Sequence, residues 1–266
     1  MSTGTGTGTG TGNGNGIRWT YAFIDRPAGR LRPAQAFWAA VTATRMSETR
    51  GEQGEFATLL PGEGDACVKV QGVDAGDGGA HLDFAVEDVD AFVGSASALG
   101  ATVVATHAGW AVLRSPAGQL FCAVPWHGET VRPVVVDGSR LDQVAIDIPP
   151  TAYATEVAFW ERLTAWESLT GSLPEFHVLR PPANLPIRIL LQRLGAERPT
   201  ASAHIDLACA DIGATRARHE RLGATVVAHG THWTVMRDPA GATYCLTGRD
   251  PETGGLPKPT TADRLA

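Results

Sequence analysis

The sequence lacks the features that mark several large classes of protein. No apolar run approaches the roughly 20 residues that a membrane-spanning helix needs. Positive charge is not in excess, because the net charge is −6, and this argues against broad electrostatic binding to nucleic acids or to anionic membranes. A glycine-rich phosphate loop and a GxSxG nucleophile elbow are both missing. We therefore expect small-molecule ligands, with no nucleic-acid partner and no membrane partner.

Cysteine is scarce as well. A chain of 266 residues does not need a disulfide framework, and none of its four cysteines lies in a CxxC pair. We interpret all four as reduced core thiols of a cytoplasmic protein: Cys67, Cys122, Cys209 and Cys245.

Both ends of the chain are poor in residues that could form a core. Residues 1–16 are almost entirely Gly, Thr and Asn and lack the basic and apolar regions of a secretory signal, so we expect them to be disordered. Residues 251–266 are rich in Pro and Thr, and we expect a loose tail there.

What the sequence does contain is an internal repeat. Residues 81–124 align without a gap to residues 204–247, and 19 of the 44 aligned positions are identical. This similarity indicates duplication. The aromatic pair Phe37-Trp38 recurs upstream as Phe159-Trp160. We predict a first domain at 17–128, a linker at 129–138 and a second domain at 139–250.

Each copy is predicted to contain two βαβββ units. The stretch HLDFAVED alternates apolar and polar residues as a half-buried strand does, and Asp88 is a plausible N-cap for the amphipathic segment that follows. Three further strands and a tight Pro-Ala-Gly turn complete the unit. Such units close a core only in pairs, so the fold class is α+β with a cupped mixed sheet in each domain. The two aromatic pairs are expected to be core.

The repeated motifs resemble those of the vicinal oxygen chelate superfamily, specifically its glyoxalase-like and bleomycin-resistance-like domains. The motifs are His-Leu-Asp at 81–83, Leu-Gly-Ala-Thr-Val-Val at 99–104 and the Pro-Ala-Gly turn at 116–118, all repeated in the second copy. The resemblance implies two tandem glyoxalase-like domains. It leaves the activity open, since the superfamily includes lyases, isomerases, dioxygenases and metal-free drug-binding proteins.

The resemblance also implies where a metal ion would be held. His81 and His204 occupy the histidine position of the second unit, and they are also the candidate catalytic residues. Gln71 and Gln192 lie near the first unit's final-strand ligand, and Gln143 is the first-strand candidate of copy two. Zn, Ni, Fe or Mn are the possible ions. Instead of binding a metal, both histidines could have a structural role or contact the substrate directly.

The final strand of each copy lacks the expected glutamate ligand. The first copy offers Cys122 and its neighbours, and the second offers Cys245 and its neighbours. Amide oxygens alone are weak ligands for a dication, so this departure favours binding, or chemistry without a metal. Copy two, with Gln143 in place of the first copy's Tyr21, is the better candidate for a metal.

Four further residues are candidates for substrate binding. Trp110 and Trp233 lie at matched strand positions and can line a pocket or belong to the core. Arg114 and Arg237 precede the Pro-Ala-Gly turn and can bind an anion or brace that turn. The neighbouring Asp83 and Asp206 could act as bases or orient the histidines.

Two functions remain open on this basis. The first is a lyase or isomerase acting on a compound with adjacent oxygens. The second is a non-catalytic protein that sequesters a drug or metabolite. In either case, the chain is expected to be a monomer that forms a pseudo-dimer by duplication, or a homodimer, with two cups that need not be equivalent.

Overall fold

The computed structural model describes residues 16–74, 76–171 and 173–256. The disorder expected at the N-terminus lies outside the described residues, except for Gly16. Among the described residues, the first copy has two α-helices and eight strands: β1 (Ile17–Pro27), α1 (Leu31–Val41), β2 (Arg45–Met46), β3 (Phe56–Leu60), β4 (Val68–Val73), β5 (Gly79–Val86), α2 (Val89–Ala98), β6 (Thr102–His107), β7 (Trp110–Arg114) and β8 (Leu120–Pro125).

The second copy repeats this order, which confirms the predicted pair of βαβββ units in each copy. Its elements are β9 (Ser139–Ile148), α3 (Tyr153–Thr164), β10 (Glu167–Thr170), β11 (Phe176–Arg180), β12 (Arg188–Arg193), β13 (Ser202–Cys209), α4 (Ile212–Arg221), β14 (Thr225–His229), β15 (Trp233–Arg237) and β16 (Thr243–Gly248).

Each copy forms its own eight-stranded mixed sheet. The strand order is β2-β3-β4-β1-β5-β8-β7-β6 in the first and β10-β11-β12-β9-β13-β16-β15-β14 in the second. In each copy, the first strands of the two βαβββ units pair antiparallel at the centre of the sheet, β1 with β5 and β9 with β13. They are flanked by the parallel pairs β1–β4 and β5–β8, and by β9–β12 and β13–β16. This architecture confirms the predicted α+β fold with two tandem domains.

Local sequence explains the helix that follows each repeated strand. The predicted N-cap Asp88 accepts a hydrogen bond from the backbone N–H of Ala91 at 2.9 Å, and Asp211 does the same for Ala214. Such a cap satisfies one of the backbone donors that a helix start leaves unpaired. The duplication has therefore kept the start of α2 and α4 at the same point.

The two copies share one hydrophobic core, because the first helix of each copy packs on the other copy. Trp38 of α1 lies 5.0 Å from the ring of Tyr244 on β16, and Trp160 of α3 lies 5.1 Å from Phe121 on β8. Both tryptophans are fully buried, as predicted for the two aromatic pairs. The sequence did not show that the partners of these helices lie in the opposite copy.

A buried carboxylate anchors each of these crossed helices. The indole Nε1 of Trp38 donates to Asp238 at 3.1 Å, and that of Trp160 donates to Glu156 at 2.8 Å. Glu156 also accepts from the backbone N–H of Ala117, in the Pro-Ala-Gly turn of the first copy. Buried polar groups need such partners, and these bonds join the two copies through their turns.

His219 on α4 lies in this shared core and makes stability depend on pH. Its Nδ1 is 2.8 Å from the hydroxyl of Tyr244, and burial, with a smaller effect of Arg218, lowers its pKa to about 4. An unfolded histidine binds a proton below about pH 6.5, whereas folded His219 resists protonation down to about pH 4. The stability that neutral His219 contributes is therefore present above pH 6.5 and lost as the pH falls toward 4.

We expect this residue to remove up to about 3 kcal/mol from the free energy of unfolding between pH 6.5 and pH 4. The first copy supplies the matched control, since Ala96 and Phe121 stand where the second has His219 and Tyr244. Urea unfolding across this range should show a shallower pH dependence for the double variant His219→Ala/Tyr244→Phe. An unchanged slope would contradict the assignment.

The segment after β16 departs from the expected loose tail in its described part. Pro251 and Gly254 are buried, and the carbonyl of Gly254 accepts a hydrogen bond from Arg188 at 2.8 Å. Glu252 pairs with Arg140 at 2.6 Å. The expectation for residues 257–266 lies outside the described residues. Within the described ranges, no helix is long and apolar enough to cross a membrane.

Candidate functional site

Each sheet encloses a cavity on its concave face, and the two cavities differ in size. Cup 1, in the first copy, has a volume of about 770 Å³, and cup 2, in the second, about 390 Å³. The residues of cup 1 used below are Phe23, Asp25, Arg50, Phe56, Lys69, Gln71, His81, Asp83, Trp110 and Cys122. Those of cup 2 are Gln143, Arg188, Leu190, Gln192, His204, Asp206, Trp233 and Cys245.

The histidine of cup 1 is held between two carboxylates. Antiparallel pairing sets His81 of β5 opposite Phe23 of β1, whose ring stacks on the imidazole at 4.5 Å. His81 Nδ1 lies 2.7 Å from Asp25 Oδ2, and Nε2 lies 3.5 Å from Asp83 Oδ1. The imidazole edge that carries Nε2 therefore faces Asp83 and the thiol of Cys122 on the parallel strand β8.

These contacts set the ionisation of cup 1. Burial by itself lowers the pKa of His81, but Asp25 and Asp83 outweigh it and hold that pKa well above the ordinary value. Burial raises the pKa of the Cys122 thiol to about 11, and Asp83 adds to that shift. At neutral pH, cup 1 thus contains an imidazolium, a carboxylate and a neutral thiol.

Cup 1 also contains a lysine. Lys69 Nζ on β4 lies 3.6 Å from Asp83 Oδ2 and 3.7 Å from the ring centroid of Tyr21, in a cation–π contact. The Tyr21 hydroxyl donates to Glu129 at 2.5 Å. Asp83 therefore already has an ammonium partner within the protein.

Cup 2 repeats the histidine cluster with similar spacing. His204 Nδ1 lies 3.0 Å from Asp147 Oδ2, while Nε2 lies 3.3 Å from Asp206 Oδ1 and 3.6 Å from Cys245 Sγ. Burial lowers the pKa of His204, and Asp147 and Asp206 outweigh it, so that the pKa is again raised well above the ordinary value. The same three donors, one imidazole nitrogen, one carboxylate oxygen and one sulfur, thus converge in each cup.

The surroundings of the cluster differ between the cups. In cup 2 the position of Lys69 is occupied by Leu190, because each faces the equivalent residue of the neighbouring first strand. Asp206 Oδ2 accepts instead from the amide of Gln143, whose oxygen accepts from Arg188 Nε at 2.5 Å. Asp206 therefore has a neutral partner, because the Arg188 guanidinium binds Gln143 rather than Asp206 itself.

The donor set of cup 2 fits a divalent metal ion. Tetrahedral zinc, with bonds of roughly 2.0 Å to nitrogen or oxygen and 2.3 Å to sulfur, separates N from O by about 3.3 Å and N from S by about 3.6 Å. The distances around His204 Nε2 are 3.3 and 3.6 Å. Asp206 Oδ1 is buried without a hydrogen bond from the described residues, and Asp147 orients the histidine from behind, as carboxylates commonly do for metal-bound histidines.

Cup 1 does not fit a divalent ion in the same way. Its histidine and Asp83 are spaced similarly, but the carboxylate is shared with the Lys69 ammonium. A dication bound there would be repelled by a neighbouring positive charge that cup 2 replaces with an apolar side chain. The cation that balances Asp83 is therefore the protein's own.

The remaining predicted residues divide between the cups and the surface. Trp110 and Trp233 line cups 1 and 2, and so do Gln71 and Gln192. The structure does not place Gln71 or Gln192 in the donor clusters, which consist of His, Asp and Cys.

Arg114 and Arg237 line neither cup. Both are exposed, and Arg237 donates to the carbonyl of Gly241 at 2.7 Å, so it braces its own turn. Strand alternation sets each arginine on the same face as the tryptophan of its strand, but four residues further along, at the strand end beyond the residues that line the cavity. The bracing alternative applies to Arg237.

Sequence reasoning did not assign the carboxylate and the thiol of each cluster as metal donors. The sequence predicts Cys122 and Cys245 to be core thiols, and all four cysteines are free and buried. The signal was nevertheless present: the spacing His-x-Asp and the later Cys are identical in both copies, at positions where the flanking residues differ. Lys69 carried no such signal, because only one copy has it.

Comparison with known proteins identifies the family of both domains. A family model described as a glyoxalase-like domain matches residues 22–124 and again residues 143–247. No curated relative matches the chain.

Several solved structures have a similar fold. They include an Mn(II)-bound glyoxalase from Novosphingobium aromaticivorans (16% identity, TM-score 0.62, covering 96% of this chain and 91% of that one). The 2,3-dioxygenase LapB from Pseudomonas sp. KL28 is another (14%, 0.61, 92% and 95%). The chain also matches a xylose isomerase-like TIM barrel/4-hydroxyphenylpyruvate dioxygenase fusion protein (13%, 0.58, 95% of this chain), of which it spans about half, 51%. At these identities the likeness shows the fold alone.

Proposed function

From the fact that this chain belongs to the family of glyoxalase-like domain proteins, we propose that its two cups bind small organic molecules and that cup 2 does so with a divalent metal ion. The suitable ligands carry adjacent oxygens, such as a hydroxyl beside a carbonyl. The proposed reaction class is that of a lyase or isomerase. The solved glyoxalase that this chain resembles is described as Mn(II)-bound, which supports the choice of a metal.

The observation that carries the proposal is the spacing of His204, Asp206 and Cys245 around one point of cup 2. A bound ion would supply a Lewis acid that polarises the oxygens of the ligand. The protein's own groups prepare that point. Asp147 fixes the tautomer and orientation of His204, and Gln143 fixes the second oxygen of Asp206.

The walls of cup 2 define what could bind beside these donors. Leu190 on β12 and Trp233 on β15 form apolar walls on opposite flanks of the donor cluster, and the amide of Gln192 can donate to a ligand oxygen. Arg188, whose pKa burial and the neighbouring Arg249 lower to about 10, remains a cation and favours a ligand with negative charge. An oxyanion that forms in the reaction would be stabilised by the same guanidinium.

A second candidate function, sequestration, is favoured by cup 1. Its cavity is about twice as large, its walls include Phe23, Phe56 and Trp110, and its donor cluster is already neutralised by Lys69. Such a cavity suits a drug-sized aromatic ligand held without turnover. Turnover of a bound ligand would decide against sequestration alone.

Metal analysis tests the proposal. Purified protein reconstituted with Zn, Ni, Fe(II) or Mn should retain about one equivalent of one of these ions per chain after gel filtration. The variant Cys245→Ser should lose most of it. The sister variants Cys122→Ser and His81→Ala are the matched controls and should retain it. Either no retained metal, or an equal loss in the cup 1 and cup 2 variants, would refute a metal site confined to cup 2.

A further inference from the structure

Lys69 is an unusual choice of residue for this chain. The sequence has 22 basic residues, of which only two are lysines, Lys69 and Lys258, and the remaining 20 are arginines. Arginine occupies the basic positions in cup 2 and at the rim of cup 1, where Arg50 stands. The one lysine among the described residues thus lies inside a cavity. Unlike an arginine, a lysine can give up its proton and act as a nucleophile.

The surroundings of the Lys69 amine are those of a reactive lysine. Its side chain is 18% exposed and lines cup 1, so a ligand can reach it. The ammonium lies over the rings of Tyr21 at 3.7 Å and Phe23 at 5.1 Å. Burial lowers the pKa of Lys69, and Asp83 only partly reverses that shift. A desolvated lysine in an apolar cavity is a recognised way to activate an amine.

We propose that Lys69 is a nucleophile that forms an imine with an aromatic aldehyde or ketone bound in cup 1. The aromatic class follows from the walls, where Phe23, Phe56 and Trp110 surround a cavity of about 770 Å³. The proposal rests on the proposed binding of small molecules in the cups. It adds a covalent step that needs no metal.

The step balances with the groups that are present. Lys69 Nζ transfers one proton to Asp83, which is 3.6 Å away, and its lone pair then forms a bond to the carbonyl carbon. The π electrons of the C=O bond move to oxygen, which takes a proton from the His81 imidazolium. The Lys69 nitrogen, now positively charged, then gives one of its two protons to His81, which returns to its charged form. Loss of the hydroxyl as water, with the proton held on Asp83, leaves a protonated imine. The net change is one ammonium and one carbonyl compound giving one iminium ion and one water.

The location of the acid and the base supports this sequence. Asp83 contacts both Lys69 Nζ and His81 Nε2 through its two oxygens, so protons can pass along one carboxylate. Asp25 contacts the other ring nitrogen of His81, Nδ1, and keeps the imidazole charged. Cup 2 lacks the nucleophile, since Leu190 replaces the lysine, and its Asp206 is bound to an amide.

Reductive trapping tests the proposal on the full chain. The protein is incubated at pH 7 with benzaldehyde and sodium cyanoborohydride, which converts an imine to a stable secondary amine. Because there are only two lysines and one N-terminus, peptide mass mapping locates the product without ambiguity. We expect one benzyl group on Lys69, formed at least about ten times faster than on Lys258, because the apolar surroundings of Lys69 favour its neutral, nucleophilic amine.

Two variants separate the chemical role from a structural one. Lys69→Arg keeps the charge beside Asp83 but cannot form the adduct, so trapping at this position should stop while the urea midpoint stays near that of the wild type. Lys258→Arg should leave trapping on Lys69 unchanged. Trapping confined to Lys258 and the N-terminus, or equal rates at all three amines, would overturn the proposal.

The same experiment distinguishes this inference from the proposed function. Quenching of Trp110 fluorescence by benzaldehyde, compared with a Trp110→Phe background, reports binding in cup 1. Quenching without an adduct on Lys69 would overturn the imine and leave ligand binding in place. The absence of both would overturn ligand binding in cup 1 as well. Metal retention in cup 2 should be the same in Lys69→Arg and in the wild type.

Discussion

Replacing Asp238 with serine is expected to lower the free energy of unfolding by about 3–5 kcal/mol, because it leaves the buried Arg26 guanidinium without its counter-ion. Asp238 Oδ2 accepts from Arg26 Nε at 2.8 Å and from Trp38 Nε1 at 3.1 Å. Both charged side chains are at most 1% exposed. Arg26 lies one residue before the end of β1 in the first copy, whereas Asp238 opens the turn after β15 of the second, so the pair joins the two copies.

Serine is the informative replacement because the first copy carries it. Ser115 stands at the position of Asp238 and accepts the backbone N–H of Gln119, so the turn itself tolerates this residue. Ile148 stands at the position of Arg26 in the second copy and is fully buried. Equilibrium urea unfolding of Asp238→Ser measures the loss.

The double variant Arg26→Ile/Asp238→Ser is the matched control. It removes both charges and should recover at least half of that loss, as replacing a whole buried pair by apolar groups commonly does. A loss below about 1 kcal/mol for the single variant, or no recovery in the double variant, would mean that the pair does not hold the copies together.

The sequence was most informative where periodicity and duplication acted together. The strand alternation of 81–88 and the cap at Asp88 predicted β5 and the start of α2, and the repeat then transferred both to β13 and α4. Local signals of this kind depend on residues a few positions apart. The partners of Trp38 and Trp160 could not be predicted in this way. Their contacts span the two copies and depend on how the sheets face each other, and no periodicity records that.

The same difference between local signals and long-range contacts applies to the candidate site. The histidines and tryptophans of both cups were identified from matched positions in the repeat, and each lines its cup. The neutral partner of Asp206 and the charged partner of Asp83 carry no motif, because Gln143 lies on the adjacent strand β9 and Lys69 lies on β4, two strands from Asp83, so that only the order and register of the strands bring them into contact. The exchange of Lys69 for Leu190 is invisible as a motif. It nevertheless determines the charge beside each cluster.

The exchange of Lys69 for Leu190 predicts that one substitution in each cup changes whether that cup binds a metal ion. Leu190→Lys introduces an ammonium next to Asp206, and we expect metal affinity in cup 2 to fall by about 100-fold or more. A single positive charge and a dication about 5 Å apart repel by roughly 7 kcal/mol at an effective dielectric constant of 20, so even a partial effect reaches a 100-fold loss. Lys69→Leu removes the competing ammonium from Asp83, and we expect a second ion to bind, to His81, Asp83 and Cys122.

Isothermal titration calorimetry with Zn and Ni, supported by metal analysis after gel filtration, measures the number of ions bound per chain in each variant. Wild type should bind about one ion per chain, Lys69→Leu about two, and Leu190→Lys none. Leu190→Met, which is similar in length to lysine but uncharged, is the control for crowding in cup 2 and should keep the ion. If Leu190→Met loses the metal as completely as Leu190→Lys, the cause is shape rather than charge. If Lys69→Leu gains no ion, the lysine is not what makes the two cups different, and the distinction must come from another pair that differs beside the clusters, either Tyr21 and Gln143 or Phe23 and Ala145.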